Sequence, residues 1–128
     1  MPEPATTATA LGRRFVEALA AKDADALTAV LHPEIDFRAQ TPNCVWEAHA
    51  PEVLLDIVLG AWFTHEVDVD EVVLVETDAF ADRTQVRFRF RGRNADGPML
   101  VEQQAYLTEC AGAIDWMRVV CSGQRPSV

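Results

Sequence analysis

The sequence predicts an α+β domain in which helices cover one face of an antiparallel sheet. Apolar residues recur at helical spacing in the first half of the chain and at alternating spacing after His65. Turn-forming residues at 94–97 and 109–112 separate the last three alternating segments, which indicates an antiparallel meander. Helices followed by strands, rather than alternating with them, are typical of this fold class.

Two helices are predicted before residue 33. Leu11, Phe15 and Leu19 have the spacing of one apolar helix face. Asp23 then suits the cap of a second helix, because its side chain can accept from free N–H groups in the first turn. Pro33 ends that helix, since proline disfavours helical backbone in the residue before it.

A short strand over residues 35–40 comes next, and residues 41–43 form a turn or loop. Trp46 falls on the loop that leads to a third helix. Pro51 suits the first position of that helix, where a missing N–H has no cost. Gly60 should weaken its last turn. The helix is predicted to bury Val53, Leu54, Ile57, Val58 and Trp62.

Four long strands are predicted after residue 65. They cover residues 72–77, 85–92, 99–108 and 113–121.

A length of 128 residues is enough for one hydrophobic core and too short for two. We therefore expect one domain over residues 9–123, with a disordered N-terminal tail at 1–8 and a C-terminal tail at 124–128.

Composition excludes several classes of function. Eleven basic residues against 20 acidic ones give a net charge of −9, which is the wrong sign for a nucleic-acid binder. No uncharged apolar run approaches the roughly 18 residues that span a bilayer. The lack of a secretory signal, and three cysteines without a CxxC motif, predict a cytoplasmic protein without disulfides. The three histidines lack metal-site spacing, so neither a metal nor a cofactor is expected.

Two segments and the order of elements resemble the nuclear transport factor 2-like superfamily. The segments are residues 15–33 (FVEALAAKDADALTAVLHP) and residues 112–123 (GAIDWMRVVCSG), and the resemblance covers about residues 8–123. The superfamily includes ketosteroid isomerases, scytalone dehydratases, limonene epoxide hydrolases and SnoaL-like polyketide cyclases. The resemblance implies a SnoaL-like domain: a cone-shaped, curved antiparallel sheet with three N-terminal helices on its concave face, a pocket inside, and a homodimer.

The resemblance also implies catalytic positions, and most of them are vacant in this chain. Ketosteroid isomerases carry a general-base Asp where this sequence has Ala39, an oxyanion-donating Tyr where it has Phe15, and a second acid where it has Gln104. Epoxide hydrolases and SnoaL-like cyclases carry an Asp where it has Val119. Two hypotheses stay open. One is a metal-free, cofactor-independent acid–base enzyme (isomerase, dehydratase or cyclase) acting on a small apolar carbonyl or cyclic metabolite. The other is a non-catalytic ligand-binding or homodimeric assembly module.

Polar residues on the penultimate strand are the candidate catalytic groups. Alternation places Glu102, Gln104 and Tyr106 on one face of that strand. A carboxylate beside apolar walls can act as general acid or base, so Glu102 is the first candidate and Asp115 the second. Tyr106 and Gln104 are candidates to polarise a carbonyl or enolate oxygen. The resemblance implies that the faces of Gln104 and Met117 line the pocket. The alternative is that Glu102 pairs with an arginine and only stabilises the sheet.

An unusual run of arginines occupies the preceding strand. It contains Arg83, Arg87, Arg89, Arg91 and Arg93. Phe88 and Phe90 alternate with the central members, so hydrophobicity places the Phe face inward and the Arg face in solvent. The register implied by the resemblance instead places Arg89 near the pocket, where it would hold Glu102 or clamp an anionic ligand. The sequence does not decide between these two interpretations.

The remaining ligand-binding candidates follow from their place in the predicted pocket. They are Phe15, Trp46, Trp62, Met117, Val119 and Cys121. The two tryptophans either line the pocket or pack in the core. Cys121 can act as a nucleophile only beside a base and an oxyanion hole, and is otherwise a buried structural thiol.

Overall fold

Helices cover one face of a curved, open sheet in the computed structural model of this chain. The model describes the backbone of residues 4–127 and the side chains of residues 7–127. The sheet has seven strands and curls around the helices like part of a cone. The predicted α+β class and cone-like architecture are confirmed. Within residues 4–127, no helix is long and apolar enough to cross a lipid bilayer.

Helix α1 spans Pro4–Ala21 and begins earlier than the sequence predicts. Its start lies inside the segment 1–8 that we expect to be a disordered tail, and residues 1–3 lie outside the described residues. The physical reason is that Ala8 extends the buried face of Leu11 and Phe15 by one more turn.

The other helices follow the predicted caps. Helix α2 spans Ala24–Val30, and Asp23 caps it by accepting a hydrogen bond from the Ala26 N–H at 3.0 Å. Helix α3 spans Pro51–Ile57 and begins at the predicted proline. It continues as a wider π-helical turn, Val58–Trp62, which includes Gly60. Of the residues predicted to be buried on this helix, Val53 is exposed.

Seven strands form the sheet. They are β1 (Leu31–Thr41), β2 (Cys44–Ala48), β3 (Asp68–Phe80), β4 (Arg83–Asn94), β5 (Gly97–Cys110), β6 (Ala113–Cys121) and β7 (Arg125–Pro126). Their order is β2-β1-β6-β5-β4-β3, and β7 pairs with the start of β5. β1 pairs with β6 in parallel, whereas the other neighbours are antiparallel.

Two strands lie where the sequence predicts none. β2 folds back on β1 through a tight turn in which Asn43 has a φ of 66°. Trp46 therefore lies on a strand and not on a loop. β7 lies in the segment 124–128 that we expect to be a tail, and it pairs with β5 through Met99 and Leu100. Both strands are too short for alternation to identify them.

The two faces of the sheet differ sharply in burial. We call the face covered by the helices the inner face and the opposite one the outer face. Phe88 and Phe90 are buried on the inner face, so the arginines of β4 lie on the outer face, as hydrophobicity predicts. Alternate residues of the next two strands complete the inner face: Val101, Gln103, Ala105, Leu107, Met117 and Val119.

Candidate functional site

The predicted catalytic face of β5 is the outer face. Gln104 pairs across the strands with Arg87, whereas its neighbour Gln103 pairs with Phe88 and with Cys121. The expectation that the faces of Gln104 and Met117 both line the pocket is therefore wrong for Gln104. A shift of one residue along a strand moves a side chain to the other face, and Gln103 holds the inward position.

Glu102 forms an ion pair with Arg89 on the outer face. Arg89 Nη2 and Nε both donate to Glu102 Oε1, at 2.7 and 3.1 Å. Both side chains keep more than a third of their surface in solvent. The flanking ladder pairs are Arg87 with Glu76 and Arg91 with Glu71. Glu102 is thus one member of a ladder of exposed ion pairs and lies away from apolar walls.

Tyr106 and Asp115 do not join Glu102 in a common cluster. The Tyr106 hydroxyl accepts a hydrogen bond from Gln85 Nε2 at 3.4 Å. Asp115 Oδ1 accepts one from Thr108 Oγ1 at 2.6 Å. No hydrogen bond in the described part of the chain connects either residue with Glu102.

Arg118 is the most highly connected side chain of the outer face. Its Nη2 lies 3.3 Å from Asp36 Oδ2, and its Nη1 donates to the Asp36 carbonyl oxygen at 2.9 Å. The side-chain hydrogen bond from Arg118 holds the pKa of Asp36 below its ordinary value. The guanidinium also lies 4.6 Å from the centre of the Trp116 ring, and that of Arg83 lies 4.3 Å from it. The Trp116 ring therefore makes cation–π contacts with two guanidinium groups on the outer face.

An open groove of about 360 Å³ runs over the outer face beside Arg118. Gln104 and Tyr106 line it together with Val45 and Val120. Both valines are 63% exposed, so the groove presents apolar surface to solvent. This groove is a broad surface, not an enclosed ligand site.

A smaller cavity of about 200 Å³ lies on the inner side of the sheet. Five elements meet there: the end of β1, the π-helical turn, the inner faces of β5 and of β6, and the segment before β7. Its principal lining residues are Thr41, Trp62, Phe63, Gln103, Cys121 and Gln124. Of the residues predicted to bind ligand, only Trp62 and Cys121 line this inner cavity.

Two residues that line the inner cavity each carry a buried hydrogen-bond donor without a partner among the described residues. Gln103 is 1% exposed, yet its Nε2 atom donates to no described residue. The same holds for Trp62 Nε1, which is also buried. A buried donor left unpaired costs about 1–3 kcal/mol, so native proteins rarely keep one without a use. Two such donors in one cavity favour a ligand that offers an acceptor oxygen.

Hydrogen bonds fix the Trp62 side of the cavity. Gln124 Nε2 donates to the Trp62 carbonyl oxygen at 2.8 Å, and Asn94 Nδ2 donates to Gln124 Oε1 at 2.9 Å. Trp46 contacts the Trp62 ring edge-on and donates from Nε1 to Thr41 Oγ1 at 2.8 Å. The cavity wall is therefore held in place before a ligand binds.

The other predicted ligand-binding residues lie elsewhere. Phe15, Met117 and Val119 are buried among the apolar side chains of the core. Trp46 supports the cavity through its contact with Trp62, while Arg89 lies on the outer face. In the described part of the chain, no group of three or more His, Cys, Asp or Glu side chains is placed to hold a metal ion.

Gln103 is the residue that sequence reasoning missed. A usable signal exists, because the tight turn pairs Asn94 with Gly97 and so sets the register of the β4–β5 hairpin. Counting back from that turn pairs Phe88 with Gln103, on the face that hydrophobicity places inward. Gln124 has no comparable signal, since it lies in a short segment without a pattern.

Comparisons with known proteins identify the fold. No protein-family model and no curated protein matches the chain. Among solved structures, a candidate isomerase from Bacillus subtilis matches with a TM-score of 0.76 at 14% identity, covering 94% of this chain and 90% of that one. An LEH-like epoxide hydrolase from M. tuberculosis matches with a TM-score of 0.69 at 12% identity, covering 94% and 86%.

A third structure was solved with a small molecule bound. It is a protein with a ketosteroid isomerase-like fold from Catenulispora acidiphila, in complex with trimethylamine. It matches with a TM-score of 0.69 at 12% identity, covering 88% of this chain and 85% of that one. The chain therefore has the nuclear transport factor 2-like fold that its sequence resembles. These likenesses establish the fold alone, because one such fold hosts many activities.

Proposed function

We propose that this protein binds a small, largely apolar molecule with a carbonyl or similar acceptor oxygen in its inner cavity. The observation that carries the proposal is the pair of unpartnered, buried donors on Gln103 and Trp62. Pockets that bind small molecules typically combine apolar walls with a few well-placed polar groups. The bound trimethylamine in a protein of similar fold supports the use of this architecture for small ligands.

The geometry favours binding over acid–base catalysis. Within residues 4–127, the lining of the inner cavity contains no carboxylate and no imidazole. Glu102, the first candidate base, pairs with Arg89 on the opposite face of the sheet. A proton-transfer group must lie within hydrogen-bonding reach of the substrate, or one water away. We therefore favour a ligand-binding module over an isomerase, dehydratase or cyclase.

Thermal shifts with two matched compounds test this function. Cyclohexanone offers an acceptor oxygen, whereas methylenecyclohexane has nearly the same shape without one. A ligand that binds only the native state raises the unfolding temperature. We expect cyclohexanone to raise it more than methylenecyclohexane does, and Gln103→Leu to remove that difference by weakening cyclohexanone binding about tenfold.

The neighbouring glutamine provides the control. Gln104→Leu makes the same type of substitution on the outer face. It should leave the difference in unfolding temperature between the two compounds unchanged. Equal effects of the two substitutions would contradict the proposal. So would the absence of a cyclohexanone-dependent shift in the unsubstituted protein.

We also propose that the protein is a cytoplasmic homodimer that pairs through the outer groove. Exposed Val45 and Val120 supply apolar surface there. The neighbouring arginines of β4, which are Arg87, Arg89 and Arg91, each pair with a carboxylate. Little net charge therefore opposes burial of this face. All three cysteines are unpaired, which fits a reducing compartment.

A further inference from the structure

We propose that Cys121 captures small α,β-unsaturated carbonyl compounds covalently inside the inner cavity. This inference rests on the proposed function, because the carbonyl oxygen would use the donors assigned above. It goes further by naming an electrophilic class of ligand and the atom to which that ligand bonds.

Cys121 lies directly beside the unpartnered amide. Gln103 on β5 and Cys121 on β6 are cross-strand partners and line the same cavity. Side chains in such a pair have Cβ atoms about 4.5–5.5 Å apart. That spacing suits a conjugated carbonyl, in which the electrophilic carbon and the oxygen are separated by two bonded carbons.

The thiol itself receives a hydrogen bond. The backbone N–H of Gly123 donates to Cys121 Sγ at 3.3 Å. This contact fixes the position of the sulfur that would attack the ligand. Cys121 is also partly accessible and not sealed in the core. The residue thus has a fixed place in the cavity wall and a route for a small molecule.

The covalent step balances without a further reactant. The Cys121 sulfur bonds to the β-carbon of the ligand, and the carbon–carbon π bond breaks. The electron pair moves to the carbonyl oxygen, where the Gln103 N–H groups stabilise the resulting enolate. The α-carbon then takes up a proton through water, replacing the one lost by the thiol, and the product is a saturated thioether ketone.

The other two cysteines lack these features. Cys110 is exposed at the end of β5. Cys44 lies on β2, where its Sγ contacts the Val45 carbonyl oxygen. Neither residue lines the inner cavity. They provide internal references for an ordinary thiol of the same protein.

The test measures the rate at which Cys121 is labelled. A Cys44→Ser, Cys110→Ser protein is treated with cyclopent-2-enone, and the adduct is followed by intact-protein mass spectrometry. Methyl methanethiosulfonate, which modifies thiols without a carbonyl group, reports how accessible the sulfur is. We expect Gln103→Leu to slow the enone about tenfold and to leave the second reagent within about twofold. Gln104→Leu should change neither rate.

Two measurements keep the result decisive. Gln103→Met retains the length of the side chain without its donor, and it should reproduce the loss if Gln103→Leu disturbs folding. A protein that retains only Cys110 gives the reference rate. An enone rate at Cys121 no faster than at Cys110, or equal slowing of both reagents by Gln103→Leu, would overturn the inference.

Different results would contradict covalent capture at Cys121 and reversible binding in the inner cavity. If cyclohexanone stabilises the protein but cyclopent-2-enone does not label Cys121 selectively, reversible binding stands and covalent capture is wrong. If Gln103→Leu changes neither the stabilisation by cyclohexanone nor the labelling of Cys121 by cyclopent-2-enone, both proposals are wrong.

Discussion

Arg118 connects the two halves of the sheet through contacts of a single side chain. It lies on β6, pairs with Asp36 of the parallel neighbour β1, and stacks on Trp116 of its own strand. Because Asp36 and Trp116 are cross-strand partners, these contacts all strengthen the same junction. The β1–β6 junction should therefore respond to the charge of Asp36.

Acid should remove the contribution of this ion pair. Arg118 lowers the pKa of Asp36 from its ordinary 3.8, so below that value the unfolded chain binds the proton more readily than the folded one. The stabilisation is fully present above about pH 4 and is lost as the pH falls through the lower, folded-state value. Urea unfolding at several pH values should show the difference between the unsubstituted protein and Asp36→Asn shrinking in acid. A difference that does not change with pH would contradict this assignment.

Single residues also show where sequence-based prediction succeeds and where it ends. The Asp23 cap was predictable because the interaction is local, between a side chain and an N–H three residues on. The orientation of Gln103 and Gln104 was not decided by alternation, since both faces of β5 carry polar and apolar residues. Their orientation depends instead on the register of the β4–β5 hairpin, which the turn at residues 94–97 sets.

At the scale of elements, β3 and β4 approach each other unusually closely at Gly92. A Cβ atom on this glycine would lie 1.8 Å from the backbone oxygen of Asp68. No flexible side chain can move aside there, because the obstacle is the main chain of β3. Gly60 in the π-helical turn is the opposite case, with no atom within 4 Å of a Cβ at that position.

These two glycines make a matched pair of substitutions. Gly92→Ala should destabilise the fold by about 3 kcal/mol, since the two strands must separate to accept the methyl group. Gly60→Ala should be neutral or stabilising by up to about 1 kcal/mol, because it only reduces the freedom of the unfolded chain. Urea unfolding midpoints measure both changes. Similar losses in the two variants would show that the close contact at Gly92 does not set the difference.

The elements that the sequence did not predict share a physical cause. The long strands and the helices carry enough apolar residues for their periodicity to appear. β2 and β7 contain five and two residues, and their partners on β1 and β5 stabilise them more than any pattern of their own. The π-helical turn is predicted only as the end of an ordinary helix, because one wider turn leaves no separate pattern of apolar residues.

For the whole molecule, charge and exposed apolar surface determine how it associates. A net charge of −9 makes two copies repel one another, while the outer groove offers apolar contact. We expect a dimer that tightens as salt screens the repulsion. Val120→Glu should give a monomer by sedimentation velocity, because it adds a carboxylate to the apolar centre of the groove.

An exposed valine outside the groove provides the control for this experiment. Val53 lies on α3 and is also exposed, so Val53→Glu adds the same charge away from the outer face. That variant should remain dimeric. A monomer in the unsubstituted protein at micromolar concentration, or equal dissociation of both variants, would contradict pairing through the groove.

The strand order has a consequence for biosynthesis. β6 ends at Cys121, close to the C-terminal end of this sequence, yet it lies between β1 and β5 at the centre of the sheet. During synthesis, β1 and β2 emerge from the ribosome first. β1 then stays without its neighbour β6 until some eighty more residues have been added to the chain. The nascent chain must remain soluble until then with the facing edges of β1 and β5 unpaired, and its many carboxylates help by keeping neighbouring nascent chains apart.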